Sequence, residues 1–505
     1  MYNHDMCSIA SCITPSLDYE GEITREQVER FVYDIKDTDV DAFLCCPTML
    51  RRALWYSEID DHWKNEAESL EEPTFTHDWK YFEKIYYRFR NYMLKGGDPV
   101  RETYEACKQI GVDFFISYRM NDAHVLEQPS TPTIDSFWRD NPQYRIGDFA
   151  GSHPLVNNKK AALLQNYLLP EIRDHYYSLL EELVQLYDLD GIELDFMRSP
   201  CFFDPSFLTK GTQVMTEFVR SIRHMLNYYG KERGKYIHLC VRVPSTIDNC
   251  NKVGLDISQW DKEGLIDMVN ISSDFHQTME LDIKGYRSAL VNTKIFGEMQ
   301  FAMASGITTE GFPLNRIVTE NIYRTTAHSF LSQGVDGLSF FNFTFVRHHQ
   351  FNEPRRSAYP GTEPPFEVLK GITSIKNLSN KDRHYFTRSG YGSLPAMNYA
   401  KVPLYIRDKN KYFKRATVRV ECENTCRGIP VTVSLNGNIL KEFESSGELF
   451  DPLTIEALPT IEKVRYFRLP LELINDDDDE YLFEISFNHL RKNIKIVGLE
   501  VALYK

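Results

Sequence analysis

The chain has 505 residues, 42% of them hydrophobic and 13% aromatic, which is enough for one large domain with a smaller one after it. A formal net charge of −14 with no basic tract argues against nucleic acid as the main partner, and no apolar run approaches the ~20 residues that span a bilayer. The opening "MYNHDMCSIASCI" has neither a basic nor a continuous apolar leader region, so the chain as it stands reads as cytoplasmic, or as periplasmic or secreted if a leader was removed.

Up to about residue 350, short apolar runs alternate with amphipathic helical patterns. "DMCSIASCI" (5–13) is the first predicted strand. "TREQVERFVYDI" predicts a helix: Thr24 and Gln27 have capping-box spacing, and Val28, Phe31, Val32 and Ile35 recur at i, i+3, i+4 and i+7. Strands follow at "DAFLCCP" (41–47), "DFFISYRMND" (113–122), "DGIELDF" (190–196), "YIHLCVRVPS" (236–245), "IDMVNISSDFH" (266–276), "KIFGEMQF" (294–301) and "VDGLSFFNF" (335–343). Two intervening helices are clear, Pro170 to Tyr187 with proline in the first turn, and Asn315 to Gln333 stopped by Gly334. Eight strands separated by helices fit a (β/α)8 barrel over 1–380 better than a doubly wound sheet, and no GxGxxG follows a strand.

Beyond residue 380 the apolar period becomes two, in "ATVRVEC", "PVTVSLNGNIL" and "EYLFEISF", and Asn436-Gly437 marks a hairpin. An all-β sandwich over 381–505 is expected. The acidic run Asp476–Glu480 reads as a solvated loop. Cys7, Cys12, Cys45, Cys46 and Cys240 read as reduced core thiols. Cys422 and Cys426 lack a second pair at zinc spacing and read as a silent pair, with a local disulfide as the alternative.

Strand parity then sorts the polar residues. Ile192, Leu194 and Phe196 share an apolar face that should meet the helices, which turns Glu193 and Asp195 towards the barrel axis. The same test sends Ser117, Arg119 and Asn121 inward on the third strand, His238, Cys240 and Arg242 on the fifth, Asn270, Ser272, Asp274 and His276 on the sixth, and Phe296, Glu298 and Gln300 on the seventh. Polar groups thus gather at the C-terminal strand ends, where barrel enzymes keep their active sites. Asp195, Glu298 and Glu193 are the candidate catalytic carboxylates. Arg119, Asn121, Asp122, Arg198, Arg242, Asp274, His276 and Asn342 are candidate substrate contacts, and Trp55, with Tyr56, Trp63 and Trp138, a candidate sugar-stacking surface. The bland rivals are buried ion pairs, with Glu193 bonded to Arg242 or Arg119, and tryptophans packed under loops. His124, His276, His348 and His349 have no HxH or HExxH spacing, so neither a metal nor another cofactor is expected.

"LPEIRDHYYSLLEELVQLYDLDGIELDFMRSP" resembles the segment leading into the fourth strand of family-10-like glycosyl hydrolases, (β/α)8 proteins of polysaccharide-degrading bacteria. "YRMNDAH", "RVPSTIDNCNKVGLDISQW" and "VDGLSFFNF" fit the same picture over roughly 1–350, and the C-terminal part looks like the β-sandwich modules that trail glycosidase barrels. The resemblance implies cleavage of a glycosidic bond in an oligo- or polysaccharide. It places the acid/base on strand four and the nucleophile on strand seven, which map to Asp195 and Glu298, with retention favoured. The chain departs from the best-known pattern, an Asn-Glu pair ending strand four, since "LDFMRSP" stands there, so Glu193 or Asp274 could belong to the pair. Arg119, Arg198, Arg242 and Arg347 near strand ends suggest an anionic glycan bearing uronate or sulfate. Three alternatives stay open: an inactive glycan-binding barrel, a polysaccharide lyase, and a metal-dependent hydrolase built on His124, Asp274 and His276.

Overall fold

In the computed structural model the described residues are 1–11, 22–60, 80–273, 275–309, 312–347, 363–388, 393–444, 461–475, 479–488 and 492–505. Eight parallel strands close a barrel: β1 (Tyr2–Asp5), β2 (Ala42–Cys46), β3 (Asp113–Arg119), β4 (Gly191–Asp195), β5 (His238–Pro244), β6 (Met268–Ser272), β7 (Lys294–Gln300) and β8 (Gly337–Phe341). Each is hydrogen-bonded to its sequence neighbours among these eight, and β1 closes the ring between β2 and β8.

Two sequence expectations are corrected. The first strand lies earlier than "DMCSIASCI": β1 ends at Asp5, and Cys7–Ser11 is helical. The Asp5 carboxylate accepts from the backbone N–H of Cys7 at 3.0 Å, so the residue expected to open a strand closes one and starts a helix. The second helix begins at Glu320, not Asn315, because Phe312–Ile317 pairs antiparallel with Ala302–Thr309, with Arg316 opposite Met303. The helix over Arg25–Tyr33 forms as the spacing predicts, with the reciprocal capping box of Thr24 and Gln27 in place.

Inside the barrel the N-terminal end is apolar. Ala42, Leu44 and Phe115 form a buried cluster against which Met1 and Met268 pack. Gly191 makes this possible, since a Cβ there would lie 2.1 Å from the Phe115 ring. Towards the C-terminal ends the axis-facing residues turn polar, and the register sets Ser117, Glu193 and Cys240 side by side and Arg119, Asp195 and Arg242 side by side. No helix among the described residues is long and apolar enough to cross a membrane.

The C-terminal part is a sandwich of antiparallel sheets. Its strands are β9 (Arg383–Arg388), β10 (Tyr399–Tyr405), β11 (Arg415–Cys422), β12 (Val431–Leu435), β13 (Asn438–Ile439), β14 (Lys441–Phe443), β15 (Val464–Leu469), β16 (Glu480–Phe487) and β17 (Lys495–Tyr504). One sheet runs β9-β17-β11-β15-β14, with Ala396–Met397 also on β17, and the other runs β10-β16-β12-β13. Asn436 and Gly437 both take positive φ, 46° and 83°, in the predicted hairpin between β12 and β13. Of the acidic run, 476–478 lie outside the described residues.

The chain divides into two compact units: Met1–Asp274 with Leu281–Glu298 and Ser339–Phe345, and Phe275–Glu280 with Met299–Leu338 and Val346–Lys505. The second unit therefore holds the helix Glu320–Ser332 as well as the sandwich. Nine cysteines are described, and all are free and buried, Cys422 and Cys426 included. Cys12 lies outside the described residues.

Candidate functional site

The three candidate catalytic carboxylates belong to one hydrogen-bonded network on the barrel axis. Arg242 of β5 is its centre, fully buried and lying 3.8 Å from the centre of the Phe341 ring. Its Nε and Nη2 donate to the two oxygens of Glu298 at 2.6 and 2.8 Å, and its Nη1 donates to Asp195 at 3.0 Å. One guanidinium thus holds carboxylates from β4 and β7. Asp195 also accepts from the backbone N–H of Met197 at 2.9 Å, and Glu298 from Ser272 Oγ at 2.5 Å and Asn270 Nδ2 at 3.1 Å. Asp195 and Glu298 are each only 1% exposed.

Glu193 sits behind this pair and has different company. Its neighbours are uncharged donors: Ser117 Oγ at 2.6 Å, Asn3 Nδ2 and Asn270 Nδ2 each at 3.1 Å, and Cys240 Sγ at 3.6 Å. Burial, and after it the charge of Asp195, push its carboxyl up to about 7. Burial also raises the Glu298 carboxyl above its usual range, with Arg242 pulling the other way.

A second network occupies the strand ends on the side of β1 and β3. Arg119 donates to Asp5 and, at 3.1 Å, to Asp122. Asp122 accepts from His124 twice, from the backbone N–H at 2.8 Å and from Nδ1 at 2.5 Å, and Arg198 reaches His124 Nε2 at 2.9 Å. The His124 side chain is 34% exposed, in contrast to the closed axis network.

The remaining candidates fall elsewhere. Asn121 donates to the backbone carbonyls of Gln165 and Cys201 and accepts from the Gln165 N–H, so its amide ties loops together. Trp55 is fully buried, with its indole N–H on Glu182 at 2.8 Å and its ring edge-on to Tyr118. Trp138 is likewise buried and donates to the Leu163 carbonyl. Neither ring is exposed to solvent, as the packing rival expects. Tyr56 spends its hydroxyl on the carbonyls of Met93 and Gly97. His276 is half-buried against Phe275. Asp274, Trp63, His348 and His349 lie outside the described residues. Arg347 is buried and committed to Glu363. Asn342, just past β8, is buried at a φ of 52°, and its Oδ1 has no hydrogen-bond partner among the described residues.

Asn3, Asp5 and Ser339, whose Oγ accepts from Asn270 Nδ2 at 3.1 Å, belong to these networks, and the sequence does not single them out. Asn3 and Asp5 are hidden because the apolar texture places the first strand too late, and Ser339 because a lone serine in "GLSFF" carries no charge signal. Among the described residues no group of His, Cys, Asp and Glu is placed to hold a metal ion.

No protein-family model matches the chain, and neither does any curated protein. Solved structures of similar shape include the glycoside hydrolase domain of PgaB (BpsB) from Bordetella bronchiseptica, 10% identical over 74% of this chain and 98% of that one, with a TM-score of 0.43. An Anoxybacillus alpha-amylase is 9% identical over 97% and 98%, with a TM-score of 0.38. Alpha-L-fucosidase isoenzyme 1 from Paenibacillus thiaminolyticus is 11% identical over 97% and 96%, with a TM-score of 0.36. At such distance none of these likenesses bears on the chemistry of this chain, which rests on the geometry above.

Proposed function

We propose that the protein is a glycoside hydrolase whose reacting carboxylates are Asp195 and Glu298. The observation that carries this reading is that Arg242 gathers both, from β4 and β7, onto one guanidinium at the polar end of the barrel axis. Cleaving an acetal needs one carboxyl to protonate the leaving oxygen and a second carboxylate to attack the sugar or to activate water. Glu298, raised by burial, takes the acid role, and Asp195, which accepts only N–H donors, takes the nucleophile or base role. This reverses the assignment that the resemblance suggests. Glu193, bonded to uncharged donors behind them, supports the pair. The orphaned Oδ1 of Asn342 suits a sugar hydroxyl, which would supply the missing donor.

The closure of the network favours one other reading. With Asp195 and Glu298 only 1% exposed and both spent on Arg242, the barrel would bind glycan without cutting it, unless the centre opens to the sugar. Incubating the protein with a panel of plant and algal oligosaccharides separates the two. Hydrolysis should release reducing ends, fall at least ~1000-fold in Asp195→Asn and Glu298→Gln, and give a first anomer whose configuration reports retention or inversion. Binding by calorimetry with no product from any sugar would instead establish the inert barrel.

A further inference from the structure

The network of Asp122, His124 and Arg198 is not used by the proposed cleavage. A guanidinium has only N–H groups to offer, so the 2.9 Å contact of Arg198 requires an unprotonated Nε2 on His124. Nδ1 then carries the hydrogen and gives it to Asp122, which fixes the tautomer. The imidazole is thus neutral, and its lone pair is directed at a cation. Protonating Nε2 would break that contact and set an imidazolium against a guanidinium. An oxyanion placed between them removes the conflict, because it accepts from both.

We propose that Arg198 and His124 form a subsite for an anionic substituent of the glycan, a carboxylate or a sulfate, and that the anion enters together with a proton on His124. The inference rests on the glycan reading of the barrel and deepens it by naming the charge of the sugar. Arg198 meets the titratable Nε2 of His124, so a proton on that nitrogen releases the contact. A neutral hydroxyl could accept from Arg198 but would not balance the imidazolium. Among the described residues the groups facing His124 are Asp122 from its own turn, Arg119 from the end of β3, Arg198 from the segment after β4, and the Phe82 ring at 6.4 Å. Burial and then the two arginines hold the imidazole below its ordinary range, against the pull of Asp122. Linkage makes the effect mutual: whatever factor the anion adds to proton affinity, the proton adds to anion affinity.

Inorganic sulfate is the probe. The full chain is titrated with sodium sulfate against sodium chloride at matched ionic strength, at about pH 6 and about pH 8, while the His124 ring resonances are followed by NMR. The expected result is binding roughly 10-fold tighter at the lower pH, with proton uptake seen as a buffer-dependent heat and a shift of the His124 signals. Arg198→Gln should weaken sulfate roughly 10-fold, and His124→Gln should flatten the pH dependence. Equal affinity at both pH values, unmoved His124 resonances, or unchanged binding in Arg198→Gln would each overturn the proposal. If a variant fails to fold, proton uptake and the His124 signals of the unaltered protein decide the matter. Hydrolysis of neutral glycans without sulfate binding removes this inference alone, and sulfate binding without cleavage of any glycan removes the hydrolase reading alone.

Discussion

A carboxyl closed inside a barrel among uncharged donors keeps its proton to an unusual pH, and Glu193 is placed that way. Burial and the charge of Asp195 raise it from 4.5 to about 7, so between those values the folded chain holds a proton that the unfolded chain has released. This contribution to stability is complete below about 4.5 and is lost as the pH climbs through about 7. Glu193→Gln removes the titration. Its stability relative to the unaltered protein should therefore improve by ~3 kcal/mol between about pH 4.5 and about pH 8, as read from denaturant unfolding at the two pH values. A constant difference would mean that the carboxyl is ionised throughout. Arg242 makes the complementary case, since Arg242→Met leaves Asp195 and Glu298 buried without their cation. We expect a loss of ~3–5 kcal/mol in the same measurement, enough to separate a structural failure from a catalytic one. At Trp55 the expectation is the reverse of a binding role. Trp55→Phe deletes the indole donor to Glu182, so the melting temperature should fall while the affinity for any glycan ligand stays unchanged.

Elements differ in how far the sequence betrays them. The run from Gly191 to Asp195 is readable because two acids at period two in an apolar stretch have only the barrel axis to face. β5 and β7 are readable for the same reason, through Arg242 and Glu298. β1 is not, because its four residues end at a capping aspartate and the apolar texture runs on into a helix. The sandwich is legible as alternation, yet alternation hides which of its faces are covered. On β9, β11 and β17 the second face carries His384, Arg388, Arg419, Glu421 and Glu500, all buried. Glu500 accepts from His384 at 2.8 Å and from both arginines, and Arg388 also reaches Glu421. A sequence shows polar residues at period two and implies solvent, whereas here this face is shut away. Although burial works against ionisation, Arg419 and Arg388 hold the Glu500 carboxyl well below its usual range. Its contribution therefore stands above the ordinary carboxylate range and is lost as the pH falls below it. Glu500→Ala removes the carboxylate that Arg388, Arg419 and His384 share and should cost ~3–5 kcal/mol at neutral pH, with the penalty shrinking in acid. Thermal unfolding of variant and parent across that range tests it, and a penalty independent of pH would show that packing, not charge, sets the cost.

At the scale of the whole molecule, composition and the change of period near residue 380 suggest a cut between barrel and sandwich, and the packing suggests a different one. The helix Glu320–Ser332 lies in the compact unit that holds the sandwich. It buries Thr325, Thr326, Ala327, His328, Ser329 and Phe330. Thr325 Oγ1 takes the backbone N–H of His384 at 2.8 Å, and Ser329 Oγ takes Arg407 at 3.1 Å. Asp408 stands 3.7 Å from His328 and also holds Arg383. A chain ended at residue 380 keeps this helix and discards every one of those sandwich partners, leaving buried polar groups and apolar surface to water. A chain begun at residue 381 keeps the charged sheet and discards the helix. Neither piece should therefore fold with the cooperativity of the parent. We expect 1–380 to be insoluble, or to bind a hydrophobic dye and melt without a sharp transition, and 381–505 to melt well below the full chain. The measurement is circular dichroism on the three proteins side by side. If 1–380 unfolds cooperatively at the parent's own midpoint, the helix needs nothing from the sandwich, and the boundary drawn from sequence texture is the physical one.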